Sequence, residues 1–258
     1  MGKKFNIDFD FYKERVIEVM DTYPPPNTKI GTCLDVGANV GAFSLIFSFY
    51  CDKVIAIEPF KENYDYMVKK IEDYGIDNII PINKAIHPSD GKSVEMSVGE
   101  ENTDSKDITC IEMPPGTVSL GSVQTVSLES IIEEYGEIDY MKVDCEGCEW
   151  DLLYGKDLSK IKTIVTEIHG GFIGEENKVK LVDYLKKEYD FTYPYHLEYW
   201  PNFDFTEFVF RREGTPDYKH NIFIRFATLH PHVEVLTPEC PNSINNWIRT
   251  CQYLLQKQ

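Results

Sequence analysis

Apolar positions along the chain fall into short continuous runs that alternate with stretches of helical spacing. Phe9, Tyr12, Val16, Val19 and Met20 recur at helical intervals over residues 8–20, and Pro24-Pro25-Pro26 then stops any helix. Thr32 to Val36 reads as a strand followed by a helix from Gly41. Val54 to Ile57 precedes a helical pattern over Lys61 to Tyr74, and Ile79 to Ile82 is a further strand. A helix at 128–135 leads into the strand Ile138 to Val143, and the strand Ile161 to Ile168 leads into a helix at 177–188. Such alternation predicts a parallel sheet covered by helices. Phe191 to Leu197, Phe205 to Arg211 and Asn221 to Thr228 are aromatic and β-branched runs without helices between them, and they read as antiparallel strands closing the sheet. Residues 87–119 are rich in Gly, Pro, Ser, Thr and acids and read as an insertion or mobile loop, with a short strand at 93–98. The expected organisation is a helical lead-in (1–29), a main α/β domain (30–230) and a C-terminal extension (231–258) with a helix around 243–256; no internal repeat is present.

The strongest local signal is Leu34-Asp35-Val36-Gly37-Ala38-Asn39-Val40-Gly41-Ala42-Phe43, an apolar strand running into a glycine-bearing turn and a helix. That arrangement brings bare backbone N–H groups close to a ligand at the strand's carboxyl end. Glu58 ends the next strand about 20 residues further on, where an acid accepts both hydroxyls of a ribose. A dinucleotide fingerprint needs a middle glycine where this turn has Asn39, and Asp35 at its mouth would repel pyrophosphate. The same carboxylate suits the cationic amino group of a methionine moiety, so the electrostatics favour S-adenosylmethionine over NAD.

Composition narrows the partners. The chain has 258 residues, 42% of them hydrophobic, and a formal net charge of -17; this predicts a globular protein with one main core. The charge disfavours nucleic acid, because binding a polyanion draws on Lys and Arg, and only Arg211 and Arg212 form a basic pair. A small-molecule or glycan acceptor is the expected partner, and the oligomeric state is left open. No apolar run approaches the roughly 20 residues of a membrane span. Neither a secretory start nor a myristoylation signal follows Met1, and the expected location is the cytoplasm. Seven cysteines is an odd count that suits free thiols. Asp144, Glu146 and Glu149 interleave the lone Cys145-x-x-Cys148 pair, disfavour thiolates and predict that it stays reduced.

Ligands of open α/β sheets lie outside the carboxyl ends of the strands, which here are Asp35 to Gly37, Glu58, Asn83 to Ala85, Asp144 to Glu146 and Glu167 to His169. Lys142 and Asp144 share one face of their strand, as do Glu167 and His169 on theirs. Asp144, His169, Lys142 and Glu146 are the candidate catalytic residues. Asp35, Gly37, Ala38, Asn39, Gly41, Glu58 and Ala85 are the candidate cofactor-binding residues. Asp144, Glu167 and His169 also form a candidate set of ligands for a divalent metal, Mg²⁺ or Mn²⁺. The structural alternatives are that Lys142 pairs with a carboxylate beneath the sheet, that Glu146 and Glu149 begin a helix, and that His169 is a loop residue. The aromatic side chains of Tyr193, Tyr195, Tyr199, Trp200, Phe203 and Phe205 offer stacking faces to an acceptor or simply pack the core.

The chain resembles the class I S-adenosylmethionine-dependent methyltransferases, and more narrowly the FkbM family. The segments that carry the resemblance are Leu34 to Phe43; Ile57-Glu58-Pro59 with Asn63; and Val126 to Ile131 leading into Ile138 to Glu149, whose K-x-D-x-E-G-x-E pattern is the most specific. Val165 to His169 is also similar. The resemblance spans residues 30 to 195. It implies a Rossmann-like, seven-stranded, mostly parallel sheet with helices on both faces and an antiparallel C-terminal strand pair, and methyl transfer to a hydroxyl oxygen. Cys145, Cys148, Ser127 and Glu129 depart from the family pattern. The competing functions are an NAD-linked oxidoreductase, a non-catalytic S-adenosylmethionine binder and a C-x-x-C redox module. In the leading one, Asp144 and His169 handle the hydroxyl proton directly or through a bound metal.

Overall fold

A computed structural model describes residues 29–100, 108–110, 116–192 and 205–211, together with residues 12, 15, 16, 19, 23 and 26. In chain order the elements are β1 (Ile30–Val36), α1 (Ala42–Phe47), β2 (Cys51–Ile57), α2 (Lys61–Tyr74), β3 (Ile79–Ile82), β4 (Ala85–Ile86), β5 (Ser93–Gly99) and β6 (Thr117–Val126). They continue with α3 (Leu128–Tyr135), β7 (Tyr140–Val143), α4 (Glu149–Leu153), β8 (Thr163–His169), α5 (Gly170–Ile173) and α6 (Glu175–Glu188). The run at 221–228, the helix around 243–256 and the aromatic residues from Tyr193 to Phe203 lie outside the described residues.

Five strands run parallel in the order β3-β2-β1-β7-β8, an α/β Rossmann-like sheet with helices around it. Burial on both faces explains why the strands read as apolar runs rather than alternations. Leu34 and Val36 of β1 pack with Ile55, Met141, Val143 and Ile164 on one face. Cys33 packs with Phe43, Phe47, Tyr140 and Val165 on the other. The i,i+4 spacing of Phe43 and Phe47 stacks their rings at 3.9 Å, and every residue of α1 is buried. The described N-terminal positions Tyr12, Val16 and Val19 are helical and buried in the same layer as α1.

The segment read as an insertion or mobile loop contains part of a hairpin. β5 pairs antiparallel with β6 from Ser93 opposite Gln124 to Gly99 opposite Thr117, and β4 adds to β6 in parallel. β6 escaped the sequence reading because most of it is exposed or half-exposed on both sides, so no alternation marks it. Its last residues are buried and lead into the cap of α3. There Ser127 Oγ accepts from the Ser130 N–H at 3.1 Å, so the serine caps the helix. Asp90 secures that cap by accepting from Ser127 N and Oγ, both at 2.8 Å, and these bonds hold its carboxyl below the usual range. No described helix is long and apolar enough to cross a membrane.

Candidate functional site

Strand order reverses at β1: the chain moves outward through β2 and β3 in one direction and through β7 and β8 in the other. A crevice opens at such a switch point, outside the carboxyl ends of β1 and β7. A cavity of about 300 Å³ lies there, lined by Gly37, Ala38, Asn39, Glu58 and Ala85 on one side and by Lys142, Asp144, Glu146, Glu167 and His169 on the other. Arg15 and Tyr23 of the N-terminal segment also line it. They are additions the sequence reading missed, since it treated that segment only as a lead-in.

The glycine turn works by close approach. Gly37 has φ +79°, and a Cβ there would lie 1.8 Å from the Asp144 carbonyl oxygen, so only glycine lets the two loops meet. Gly41, at φ +83°, closes the helix onto Met67 of α2 and lies behind the cavity rather than in its wall. The expectation of bare N–H donors is corrected. Gly37 N and Ala38 N both donate to Ile57 O, Asn39 N to Glu58 Oε2 at 2.7 Å, Val40 N to Asn39 Oδ1, and Gly41 N to Ala38 O. Asn39 itself adopts a left-handed φ of 51°. A turn whose donors are consumed internally offers no cradle to a pyrophosphate, which strengthens the case against a dinucleotide.

Glu58 sits in the cavity wall at 5% exposure, with Oε1 accepting from the Phe60 N–H at 2.9 Å. Burial pushes its carboxyl up to about 7 against the opposing pull of the Phe60 and Asn39 N–H groups. Asn83 fixes the Glu58–Pro59 turn by donating to both carbonyls, at 2.9 and 3.0 Å.

Asp35 does not reach the cavity as expected. It is fully buried, accepts from Ser44 Oγ at 2.6 Å, and faces Lys142 Nζ at 3.4 Å. Alternation along β1 turns its side chain into the layer under α1. Burial raises its carboxyl, with Lys142 pulling the other way. Lys142 Nζ donates to the Gly37 carbonyl at 2.6 Å and lies 3.5 Å from Asp144 Oδ2. Burial alone would lower this ammonium, but Asp35 and Asp144 outweigh it and hold it above the ordinary lysine range. Lys142 therefore does pair with carboxylates while its nitrogen also borders the site. Asp144 is held below the usual range: burial opposes ionisation, and Lys142 and then His169 overcome it.

His169 is 2% exposed and is ringed by carboxylates. Nδ1 meets Glu149 Oε1 at 2.7 Å, while Nε2 lies 3.3 Å from Glu146, 3.8 Å from Glu167 and 4.0 Å from Asp144. Burial disfavours its charge, but the hydrogen bond to Glu149 and the charges of Glu146, Glu149 and Asp144 raise it to about 10. The imidazole is thus oriented by Glu149. Glu149 also starts α4, as its place in the sequence suggests; its complete burial is what the sequence conceals. Glu146 reaches the cluster from a left-handed φ of 52°, and its carbonyl accepts from Thr109 Oγ1 at 2.6 Å. Donor atoms of Asp144, Glu167 and His169 all lie within 4.8 Å of one another, as a shared metal would require.

Cys145 and Cys148 are joined by a disulfide, against the expectation of reduced thiols. The tight corner after β7 holds their Cα atoms 5.6 Å apart, within disulfide range, and neighbouring carboxylates do not change that geometry.

A family model described as the methyltransferase FkbM domain matches residues 35–199. No curated protein matches the chain at a significant level. Among solved structures, an rRNA methylase from Streptococcus thermophilus is similar at 11% identity and TM-score 0.44, covering 79% of this chain and 93% of that one. M. capricolum TrmK in complex with S-adenosyl-homocysteine is similar at 12% identity and TM-score 0.38, covering 94% of this chain and 97% of that one. A protein of the NADB-Rossmann superfamily from Streptococcus agalactiae is similar at 16% identity and TM-score 0.39, covering 99% of each chain. An rRNA methylase and a putative tRNA (m1A22) methyltransferase from Streptococcus pneumoniae are among the similar structures, and the expectation that disfavoured nucleic acid is withdrawn. Net charge sums over the whole surface, whereas an acceptor meets only the local field at a site.

Proposed function

The chain belongs to the FkbM methyltransferase domain family, whose model covers residues 35–199 and makes it an S-adenosylmethionine-dependent methyltransferase, and we propose that it methylates a hydroxyl oxygen of a sugar, glycan or other small molecule. The observation that carries this reading is the two-ended cavity: an adenosyl-binding wall at Gly37 to Asn39 and Glu58, and a proton-handling wall at Asp144, Glu146 and His169. When bound, S-adenosylmethionine supplies an electrophilic methyl group on a sulfonium. Glu58 would accept the ribose hydroxyls, and the close-packed turn would let the ligand lie against the backbone. Lys142 holds the turn's Gly37 carbonyl and the Asp144 carboxylate in register. With that donor bound, an acceptor hydroxyl held beside Asp144 would lose its proton to a carboxylate of the group that surrounds the charged His169, either Asp144 or Glu146. Positioned proton transfer of this kind contributes about 10² to 10⁴ in rate. A second reading, in which a divalent cation activates the hydroxyl, is favoured by the convergence of Asp144, Glu167 and His169.

The same reading takes the domain as residues 30–230 and the sheet as seven-stranded. Its support is the backbone register of Phe205–Arg211, antiparallel to β8 from Phe205 opposite His169, with Asp190–Thr192 beyond it.

Calorimetry with S-adenosyl-homocysteine and NAD, followed by an acceptor screen that reads release of the demethylated product, tests the proposal. We expect binding of the adenosyl ligand alone and turnover on a hydroxyl acceptor. Asp144→Asn and His169→Ala should each lower turnover by at least ~10²-fold with adenosyl affinity nearly unchanged. Tighter binding of NAD, or full turnover by both variants, would sink it.

A further inference from the structure

Resting on the methyltransferase reading of the same cavity, we infer that Asp144, Glu146, Glu167 and His169 bind one divalent cation of the manganese class, with Glu149 as the residue that positions the imidazole. The donors come from two neighbouring strand ends: Asp144 and Glu146 from the corner after β7, Glu167 and His169 from the end of β8. Three carboxylates lie within 4.0 Å of a single ring nitrogen, His169 Nε2. Lys142 lies beside them, 3.4 Å from Asp35 and 3.5 Å from Asp144. A divalent ion in place of the proton on Nε2 would face all three carboxylates at once and offset their repulsion more strongly than one imidazolium does.

An independent observation points to a ligand at Nε2. Glu149 is fully buried, holds Nδ1 at 2.7 Å, and has a second carboxylate oxygen without a hydrogen-bond partner. Burying a carboxylate to orient an imidazole is costly, and metal-bound histidines recurrently carry this outer carboxylate, which fixes the ring and directs the other nitrogen to the metal. The donor set selects the ion. Three carboxylates and one imidazole form a hard, mixed oxygen and nitrogen site, and the nearby sulfur atoms of Cys145 and Cys148 are tied to each other. Mn²⁺ accepts such a set, while soft, thiolate-seeking ions gain nothing from it.

The test is a titration of the purified full-length protein with MnCl₂, followed by electron paramagnetic resonance, with S-adenosyl-homocysteine affinity measured separately by calorimetry. We expect one Mn²⁺ per chain and a nitrogen modulation from bound imidazole that disappears in His169→Ala. Glu167→Gln should weaken Mn²⁺ binding, and Glu149→Gln should weaken it by about 10- to 100-fold, both leaving adenosyl-homocysteine affinity unchanged. Wild-type protein that binds adenosyl-homocysteine yet leaves Mn²⁺ free at roughly 1 mM overturns the cation site and spares the methyltransferase reading. Mn²⁺ bound without nitrogen modulation, or held equally well by His169→Ala and Glu167→Gln, also overturns it. Failure to bind adenosyl-homocysteine at all counts against the methyltransferase reading instead.

Discussion

At the scale of single residues, the site sets carboxyl groups of one chemical type to different tasks by their surroundings. Asp144 is kept ionised by Lys142 and His169, while Glu58 is kept near its titration point by burial. The folded protein raises Glu58 from 4.5 to about 7, so it binds the proton more tightly than the unfolded chain does. Stability from this group is therefore fully present below pH 4.5 and is lost as pH rises through 7. Under the proposed ribose contact ligand binding runs the opposite way, because hydroxyls donate best to the carboxylate. Affinity for S-adenosyl-homocysteine should thus rise by about tenfold between pH 6 and 8, and Glu58→Gln should bind more weakly with a flat profile. Calorimetry across that range checks both statements; an equally steep rise in the Gln variant would show that another group titrates.

At the scale of elements, the decisive contact is between two loops that are over a hundred residues apart in sequence. Gly37→Ala adds a methyl group where the Asp144 carbonyl already lies, at a backbone φ that L-residues avoid. We expect a loss of at least ~2 kcal/mol by denaturant titration and of most adenosyl binding. Gly121, also at positive φ, has open space around it, and its alanine variant should cost only about 1 kcal/mol, from backbone strain alone. This contrast marks what the sequence could disclose. The Leu34 to Phe43 turn and Glu58 were legible because strand, glycine and acid stand at spacings that few other arrangements use. β6 was not, since polar residues on both faces leave no period to read. Glu149 was read by its place in a helix's first turn, and only the packing of α4 against β8 shows that it faces His169. The Cys145–Cys148 bond was misjudged because thiol acidity was weighed and backbone geometry was not.

At the scale of the whole molecule, a net charge of -17 makes the folded state repel itself. Many exposed acids have local partners, such as Glu176 with Lys180 at 2.6 Å, but exposed pairs contribute little. Raising NaCl from low ionic strength to ~0.3 M should screen the excess and lift Tm by roughly 2–4 °C for each kcal/mol relieved. A thermal scan against salt measures it, and a fall in Tm would mean that the ion pairs outweigh the repulsion. Asp144, Glu146 and Glu167 around His169 are half-buried in the cavity wall, where salt screens less than at the open surface, so groups inside the site meet part of their mutual repulsion.

Lys142 ties this repulsion to the history the protein can have. One ammonium faces Asp35, Asp144 and the Gly37 carbonyl together, so each partner's tolerance of change depends on the others. Lys142→Met alone strands a fully buried Asp35 and should cost about 3–5 kcal/mol. With Asp35→Asn already in place, the same change should cost measurably less, a coupling that a double-mutant cycle reads directly. The order of substitution is thereby constrained: a lineage leaving this arrangement must neutralise the aspartate before it gives up the lysine.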